Sequence, residues 1–114
     1  MENITDLSYL EEIAAGDLPF IEDIIETFMR QVPEFTANMK RYLKEGDFSR
    51  LAKEAHTAKS SVILFGLHPL AGKLKEFQIN AEKSENTAAY EFYIREFEEI
   101  CNMAIRELKE KFSL

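Results

Sequence analysis

Apolar residues recur along almost the whole chain at intervals of three and four, the spacing that places them on one face of an α-helix. Glycine, proline and short polar stretches divide this pattern into six predicted helices. They cover residues 6–15, 18–32, 33–45, 48–65, 68–83 and about 88–111. No segment alternates apolar and polar residues with a period of two, so no strand is predicted.

The predicted helix ends carry the residues that usually mark them. Aspartate can accept a hydrogen bond from the first turn of a helix, and three aspartates are predicted N-caps: Asp6, Asp17 and Asp47. Glycine favours the backbone conformation that ends a helix, and three glycines are predicted to do so: Gly16, Gly46 and Gly66. Pro33 lacks an N–H group, so we expect it to break the helical pattern and to open a separate third helix.

The connections between the predicted helices are two to five residues long, which favours antiparallel neighbours. We therefore expect an all-α fold, an up-down-up-down four-helix bundle with one or two short additional N-terminal helices. The 114 residues are the size of one domain, and residues 1–114 are interpreted as a single helical bundle. A monomer is expected because the helices use most of the apolar residues for one core.

Composition and charge narrow the classes of function. The net charge of −7 argues against nucleic acid as a partner, because binding phosphates needs a concentrated basic surface. The longest apolar run is residues 62–65, too short for a membrane span, and a cytoplasmic location without a membrane partner is predicted. The single cysteine, Cys101, is interpreted as a small residue in or near a helix core.

The fourth predicted helix contains the most informative pattern. Six of its apolar residues fall on one face, which must be the buried one: Phe48, Leu51, Ala55, Ala58, Val62 and Phe65. His56 points about 130° away from the middle of this face and should look into solvent. Its neighbours on the helix surface are Ala52, Lys59, Ser60 and Ile63. Small residues, a cation and an exposed apolar side chain around a histidine suggest a docking surface with a reactive group at its centre.

A histidine in this setting allows metal binding, catalysis or docking. Carboxylate-bridged metal sites in helix bundles need Glu-x-x-His pairs, and neither His56 nor His68 has a glutamate three residues before it. No metal ligand is therefore assigned. Ser60 and Ser61 lie on the same helix as His56, and no nucleophile elbow or oxyanion loop accompanies them. His68 precedes a proline at a helix start, which favours a structural role in capping.

Residues 55–66, AHTAKSSVILFG, resemble the signature of histidine-containing phosphotransfer (HPt) domains, commonly A-H-x-L-K-G-S followed by a glycine near the helix end. Four residues match in type and spacing: His56, Lys59, Ser61 and Gly66. Two depart from it, because Ser60 stands where glycine is usual and Ala58 where leucine is common. The resemblance extends over nearly the whole chain through the order of its helices.

The resemblance implies a phosphorelay intermediate. His56 would accept a phosphoryl group from a receiver-domain aspartate and pass it to another receiver aspartate, and Lys59 would balance the added charge. Gln78 and Ser60 are candidates for hydrogen bonds to the ring or the phosphate. Partners would be the receiver domains of response regulators and hybrid histidine kinases. No cofactor is expected, because the divalent cation would lie in the receiver, and the protein would be a phosphocarrier without enzymatic activity of its own.

A second hypothesis stays open at this point. The chain could be a helical docking module that binds a receiver domain or a partner helix through Ala52 and Ile63 without carrying phosphate. The departure at Ser60 adds one hydroxyl beside the acceptor, and we expect it to alter the transfer rate or the choice of partner modestly.

Overall fold

The computed structural model describes residues 3–114, and all regular secondary structure within them is helical. The prediction of an all-α protein is therefore confirmed. The described residues form five α-helices and one short 3₁₀ turn: α1 Ser8–Ala14, α2 Leu18–Glu45, α3 Phe48–Ile63, α4 His68–Lys83, a 3₁₀ turn Thr87–Ala89, and α5 Tyr90–Phe112.

Helix α2 runs without interruption through Pro33, so the prediction of a break at this residue is wrong. A proline inside a helix costs about 3 kcal/mol, because it removes one hydrogen bond and crowds the preceding turn. Here Pro33 is exposed, while Val32 and Phe35 on either side of it are buried in the core. Burial of a side chain of this size contributes roughly 1.5–3 kcal/mol, so the two together outweigh the cost. The predicted second and third helices are one helix of 28 residues.

Two of the three predicted aspartate caps are confirmed. Asp17 Oδ1 accepts a hydrogen bond from the Phe20 N–H at 3.1 Å, and Asp47 Oδ1 accepts one from the Arg50 N–H at 3.1 Å. The prediction for Asp6 is wrong by one residue, since Leu7 occupies the N-cap of α1. The Asp6 carboxylate still accepts hydrogen bonds from the N–H and the hydroxyl group of Ser8, at 3.0 and 2.6 Å.

The glycines end helices in different ways. Gly46 is the C-cap of α2 and has the left-handed conformation that was expected of it, with φ of 69°. Gly16 follows a left-handed Ala15, which already ends α1. Helix α3 ends at Ile63, and two turn residues, Leu64 and Phe65, separate its end from Gly66. The sequence pattern therefore predicted these helix ends to within a few residues.

The helices pack in pairs around one continuous core. Helix α2 packs against α3 and α5, α4 also packs against α3 and α5, and the short α1 packs against α2. The predicted core face of α3 is confirmed from Leu51 to Phe65, with Phe48 half-buried at its start. Phe65, just beyond α3, meets Phe28 of α2 with ring centroids 4.4 Å apart. These contacts hold α3 at its buried face and leave its opposite face to solvent.

Four apolar residues that follow the helical spacing, and were therefore expected on buried faces, are exposed: Ile13, Leu18, Ile79 and Phe92. Ile79 and Phe92 each lie two residues after a buried aromatic residue, Phe77 and Tyr90, which is about 200° around the helix and therefore on its far side. Leu18 lies in the first turn of α2, where it is 51% exposed. No helix in the described part of the chain has a stretch both long and apolar enough to cross a lipid bilayer.

Candidate functional site

His56 lies in the middle of α3, and its side chain is exposed as expected. The residues immediately around it fix its direction, because Ala55 and Ala58 are fully buried and hold the opposite side of the helix against the core. The ring is therefore presented to solvent from a rigid helix whose first turn is capped by Asp47.

The imidazole of His56 has one hydrogen-bond partner in the described part of the chain. Its Nδ1 atom lies 3.2 Å from Gln78 Oε1 on α4. The amide nitrogen of Gln78 in turn donates to Glu82 Oε1 at 2.8 Å. The Nε2 atom of His56 makes no hydrogen bond within residues 3–114. Gln78 thus lies at the ring as expected, and Nε2 is left without a hydrogen-bond partner in this part of the chain.

Glu82 was missed in the sequence. The signal that could have found it is the spacing of four residues between Gln78 and Glu82, because side chains four apart on a helix are neighbours. The spacing alone did not show that the pair lies beside His56. That relation depends on how α4 packs against α3.

Two shallow grooves flank His56. The groove on the α4 side, of about 570 Å³, is lined by residues of both helices: Ser49, Ala52, Lys53, His56, Thr57, Gln78, Ala81, Glu82 and Ser84. The groove on the α2 side has an apolar floor and a rim of hydroxyl and amide groups: Asp23, Ile24, Thr27, Phe28, Gln31, Thr57, Ser60, Ser61, Leu64 and Phe65. His56 lines the groove on the α4 side, and its neighbour Thr57 lines both grooves.

Lys59 lies one turn after His56 and is half-buried. Within residues 3–114 its ammonium group makes no ion pair and no hydrogen bond. It shares this with most lysines and arginines of the described residues, in which the ion pairs are Lys40 with Glu98 at 3.6 Å, Arg50 with Asp47 at 3.4 Å and Lys73 with Glu76 at 3.9 Å. Its charge is thus not balanced by a nearby carboxylate and can attract an anionic group at His56.

The two serines after Lys59 have different roles. The Ser60 hydroxyl is exposed and donates to the backbone carbonyl of His56 at 3.4 Å, so it is turned back along its own helix rather than toward the ring. The Ser61 hydroxyl donates to Gln31 Oε1 at 3.3 Å and thereby connects α3 to α2. Ser60 does not bond the imidazole, while Ser61 stabilises the position of the helix.

Two residues predicted to form a docking surface are less accessible than expected. Ala52 is only 3% exposed because α4 packs closely over it, so its prediction as an exposed contact is wrong. Its small side chain instead forms the floor of the groove beside His56. Ile63 is half-buried and packs against the core, contrary to the expectation that it has no core to enter.

The remaining histidine has a simpler setting. His68 is exposed in the first turn of α4, where Leu67 occupies the N-cap, and its side chain does not cap the helix. The expected capping role is therefore wrong, although the residue does start the helix as predicted. In the described ranges no three His, Cys, Asp or Glu side chains come together in a way that would hold a metal ion.

The chain matches no family model, no curated protein and no solved structure. An exposed imidazole with one nitrogen hydrogen-bonded and the other free, beside an unbalanced cation, is suited to accept an anionic electrophile. The two grooves provide room for a macromolecule to bring that group to the ring.

Proposed function

We propose that this protein is a phosphocarrier of the HPt type, which accepts a phosphoryl group on His56 from the aspartate of a receiver domain and passes it to another receiver aspartate. The observation that carries the proposal is the setting of His56, whose ring is exposed and bonded through Nδ1 to Gln78 at 3.2 Å. Lys59, with no acidic partner in the described residues, supports it. The resemblance of residues 55–66 to the HPt signature adds to this.

The transfer uses the nitrogen that the protein leaves free. The lone pair on Nε2 attacks the phosphorus of the aspartyl phosphate, the N–P bond forms, and the P–O bond to the aspartate breaks as its carboxylate leaves. The ring keeps the proton on Nδ1, which stays bonded to Gln78 Oε1. Lys59 offsets part of the negative charge that arrives. The reverse steps hand the group to a second receiver.

The proposed receiver partner supplies the divalent cation of the reaction. Phosphoryl transfer depends mainly on positioning and on neutralising charge, and we propose that the divalent cation of the reaction lies in the acidic pocket of the receiver. The protein itself then acts as a carrier and not as an enzyme. We further propose receiver domains of response regulators and hybrid histidine kinases as its partners, in the cytoplasm, with the protein as a monomer.

The bundle arrangement belongs to the same proposal. We infer an up-down-up-down order for α2, α3, α4 and α5. The supporting contacts are those between α2 and α3, α3 and α4, α4 and α5, and α5 and α2, which would close a ring of four helices. Helix α1 would then be the short additional N-terminal helix.

The test is receiver-dependent labelling of the purified protein. Receiver domains charged with radioactive phosphate should label the wild-type chain, and His56→Gln should abolish the label. His68→Gln is the matched control, because it removes the only other histidine, which is also exposed on a helix. The label should be acid-labile and base-stable, as phosphohistidine is.

The alternative of a docking module without phosphate makes the opposite prediction. It requires His56→Gln to retain binding of the receiver and signalling, and the wild-type protein to remain unlabelled. Because Ile63 packs against the core, a change there tests stability as well as docking. Thr57, which is exposed and lines both grooves, is the better position, and Thr57→Arg should weaken binding of the partner under either hypothesis.

A further inference from the structure

Glu82 completes a chain of three side chains that begins at the candidate phosphoacceptor. His56 Nδ1 contacts Gln78 Oε1 at 3.2 Å, and Gln78 Nε2 contacts Glu82 Oε1 at 2.8 Å. All three side chains line the same groove between α3 and α4. Glu82 is exposed and makes no hydrogen bond to the ring within residues 3–114, so its hydrogen-bonded link to the ring runs through Gln78.

The chemistry of the three side chains decides which atom donates and which accepts in each of the two hydrogen bonds. An ionised carboxylate only accepts hydrogen bonds, so the atom of Gln78 that faces Glu82 must be its NH₂ group. The carbonyl oxygen of Gln78 is then forced toward the imidazole. A carbonyl oxygen also only accepts, so Nδ1 of His56 must carry the proton, and the neutral ring has its lone pair on Nε2.

Without Glu82 the amide would be free to turn over. Its NH₂ group could then donate to Nδ1, which would place the lone pair there and the proton on Nε2. Such a ring has no lone pair on Nε2, the nitrogen without a hydrogen-bond partner in the described residues. The orientation of one amide therefore decides which nitrogen of His56 is nucleophilic.

We propose that Glu82 is a positioning residue that acts through Gln78 to keep the proton of the neutral His56 ring on Nδ1 and the lone pair on Nε2. The link to transfer rests on the proposed function of His56. The effect on the tautomer does not depend on that function and can be measured without any partner.

The direct measurement is the ¹⁵N NMR spectrum of the histidine ring, because a protonated and an unprotonated ring nitrogen have well separated chemical shifts. Spectra in the His68→Gln background report His56 alone, and they are recorded at about pH 8, where a free imidazole is neutral. In the parent protein Nδ1 should show the shift of a protonated nitrogen. In Glu82→Ala the tautomer ratio should move toward the Nε2-protonated form by about threefold or more, the factor for loss of one exposed hydrogen bond.

The matched control is Glu76→Ala. Glu76 is an exposed glutamate on the same helix, bonded to Lys73 and to the Tyr93 hydroxyl instead of Gln78. This variant removes the same charge and side chain from α4 but should leave the tautomer ratio of His56 unchanged. A change shared by both variants would mean that net charge, rather than the contact with Gln78, sets the ratio, and would overturn the proposal.

A double variant that exchanges the side chains of Gln78 and Glu82 should restore the tautomer of the parent protein. In Gln78→Glu/Glu82→Gln the net charge is kept, and the carboxylate at position 78 accepts from both the ring and the amide at position 82. The proton should return to Nδ1. A swapped protein whose tautomer ratio matches that of Glu82→Ala would contradict the chain of hydrogen bonds.

Measurement of phosphotransfer then distinguishes a failure of this inference from a failure of the proposed function. Initial phosphorylation of Glu82→Ala by a charged receiver should be slower in proportion to the loss in population of the Nδ1-protonated ring. If Glu82→Ala keeps the parent tautomer or the parent rate, the inference fails even though His56 is phosphorylated. If the tautomer shifts as expected and no variant, including the wild type, is ever labelled, the proposed function fails and the role of Glu82 in setting the tautomer stands.

Discussion

Gly66 lies directly against Asp6, so that a Cβ atom at position 66 would come within 2.5–2.8 Å of three Asp6 atoms. The Asp6 N–H also donates to the carbonyl of Phe65 at 2.9 Å. The segment before α1 is thereby fastened to the turn that follows α3. The glycine of the HPt-like signature thus has a structural reason here, because no other residue fits this contact.

Gly66→Ala should therefore destabilise the fold by about 2–3 kcal/mol, the sum of a left-handed backbone and a clash with the Asp6 main chain. Gly46→Ala is the matched control, since Gly46 has the same positive φ with no atom within 4 Å of its missing Cβ. It should cost only about 1 kcal/mol. Urea denaturation of both variants checks the difference, and equal losses would show that the contact with Asp6 has no energetic role.

The N-terminal segment has a second attachment, to Glu107 on α5. Burial by itself raises the pKa of Glu107, but hydrogen bonds from the Thr5 hydroxyl and from the Ile4 and Thr5 N–H groups, together with the charge of Lys111, outweigh it and hold the pKa below its usual value. A carboxylate with a lowered folded pKa stabilises the fold above its unfolded pKa. That contribution is lost as the pH falls through the folded value.

Glu107→Gln should accordingly flatten the dependence of stability on pH. Thermal unfolding measured from about pH 6 to about pH 3 should show the wild type losing more stability than the variant over this range. Glu110→Gln is the control, because Glu110 is exposed on the same helix and accepts no hydrogen bond within residues 3–114. A wild-type curve parallel to that of Glu107→Gln would show that the attachment does not depend on ionisation.

Cys101 is completely buried in α5, and burial raises the pKa of its thiol to about 12. Compared with the ordinary value of 9.0, this lowers the thiolate fraction at neutral pH by about a thousandfold. The folded protein should therefore not react with an aromatic disulfide reagent at about pH 8, and it should react at once in guanidinium chloride. Rapid reaction of the folded chain would show that α5 opens locally.

The spacing of apolar residues was sufficient to predict the helices, and the extra helix came from the break expected at Pro33. Val32 and Phe35 keep the spacing of three across Pro33, and the buried stripe continues on both sides of it. The uninterrupted stripe was visible in the sequence, and it was the better guide, because packing energy outweighs the local preference of proline. The rule that proline breaks helices describes an isolated helix rather than one held by a core.

Features of the site that depend on α3 alone could be predicted from the sequence. Features that depend on the packing of α4 against α3 could not. Exposure of His56 follows from the face of α3 alone. Burial of Ala52 and the contact of Glu82 with Gln78 depend on which flank of α3 is covered by α4, and the periodicity of one helix does not specify that flank. The contact from Gln78 to the ring was proposed only with the help of the family resemblance.

Ser60 is the residue of the signature helix that departs most from the HPt pattern, and its hydroxyl bonds the His56 carbonyl instead of the ring. A hydroxyl bonded back to the preceding turn slightly destabilises a helix, so Ser60→Ala should raise the free energy of unfolding by about 0.5 kcal/mol. Ser60→Gly should lower it by a similar amount, because glycine is a poor helix former. Urea denaturation of both variants measures these changes.

The same pair of variants isolates the effect of the hydroxyl on transfer under the proposed function. Ser60 is exposed and lines the groove on the α2 side of His56, where its hydroxyl occupies space beside an incoming partner. Both variants remove this hydroxyl, although they change helix stability in opposite directions. A modest change in transfer rate that both share, with at least one receiver, would therefore come from the hydroxyl itself. Rates that instead follow the stability of the two variants would assign the effect to the helix, and unaltered rates with every receiver would leave Ser60 without a role in partner choice.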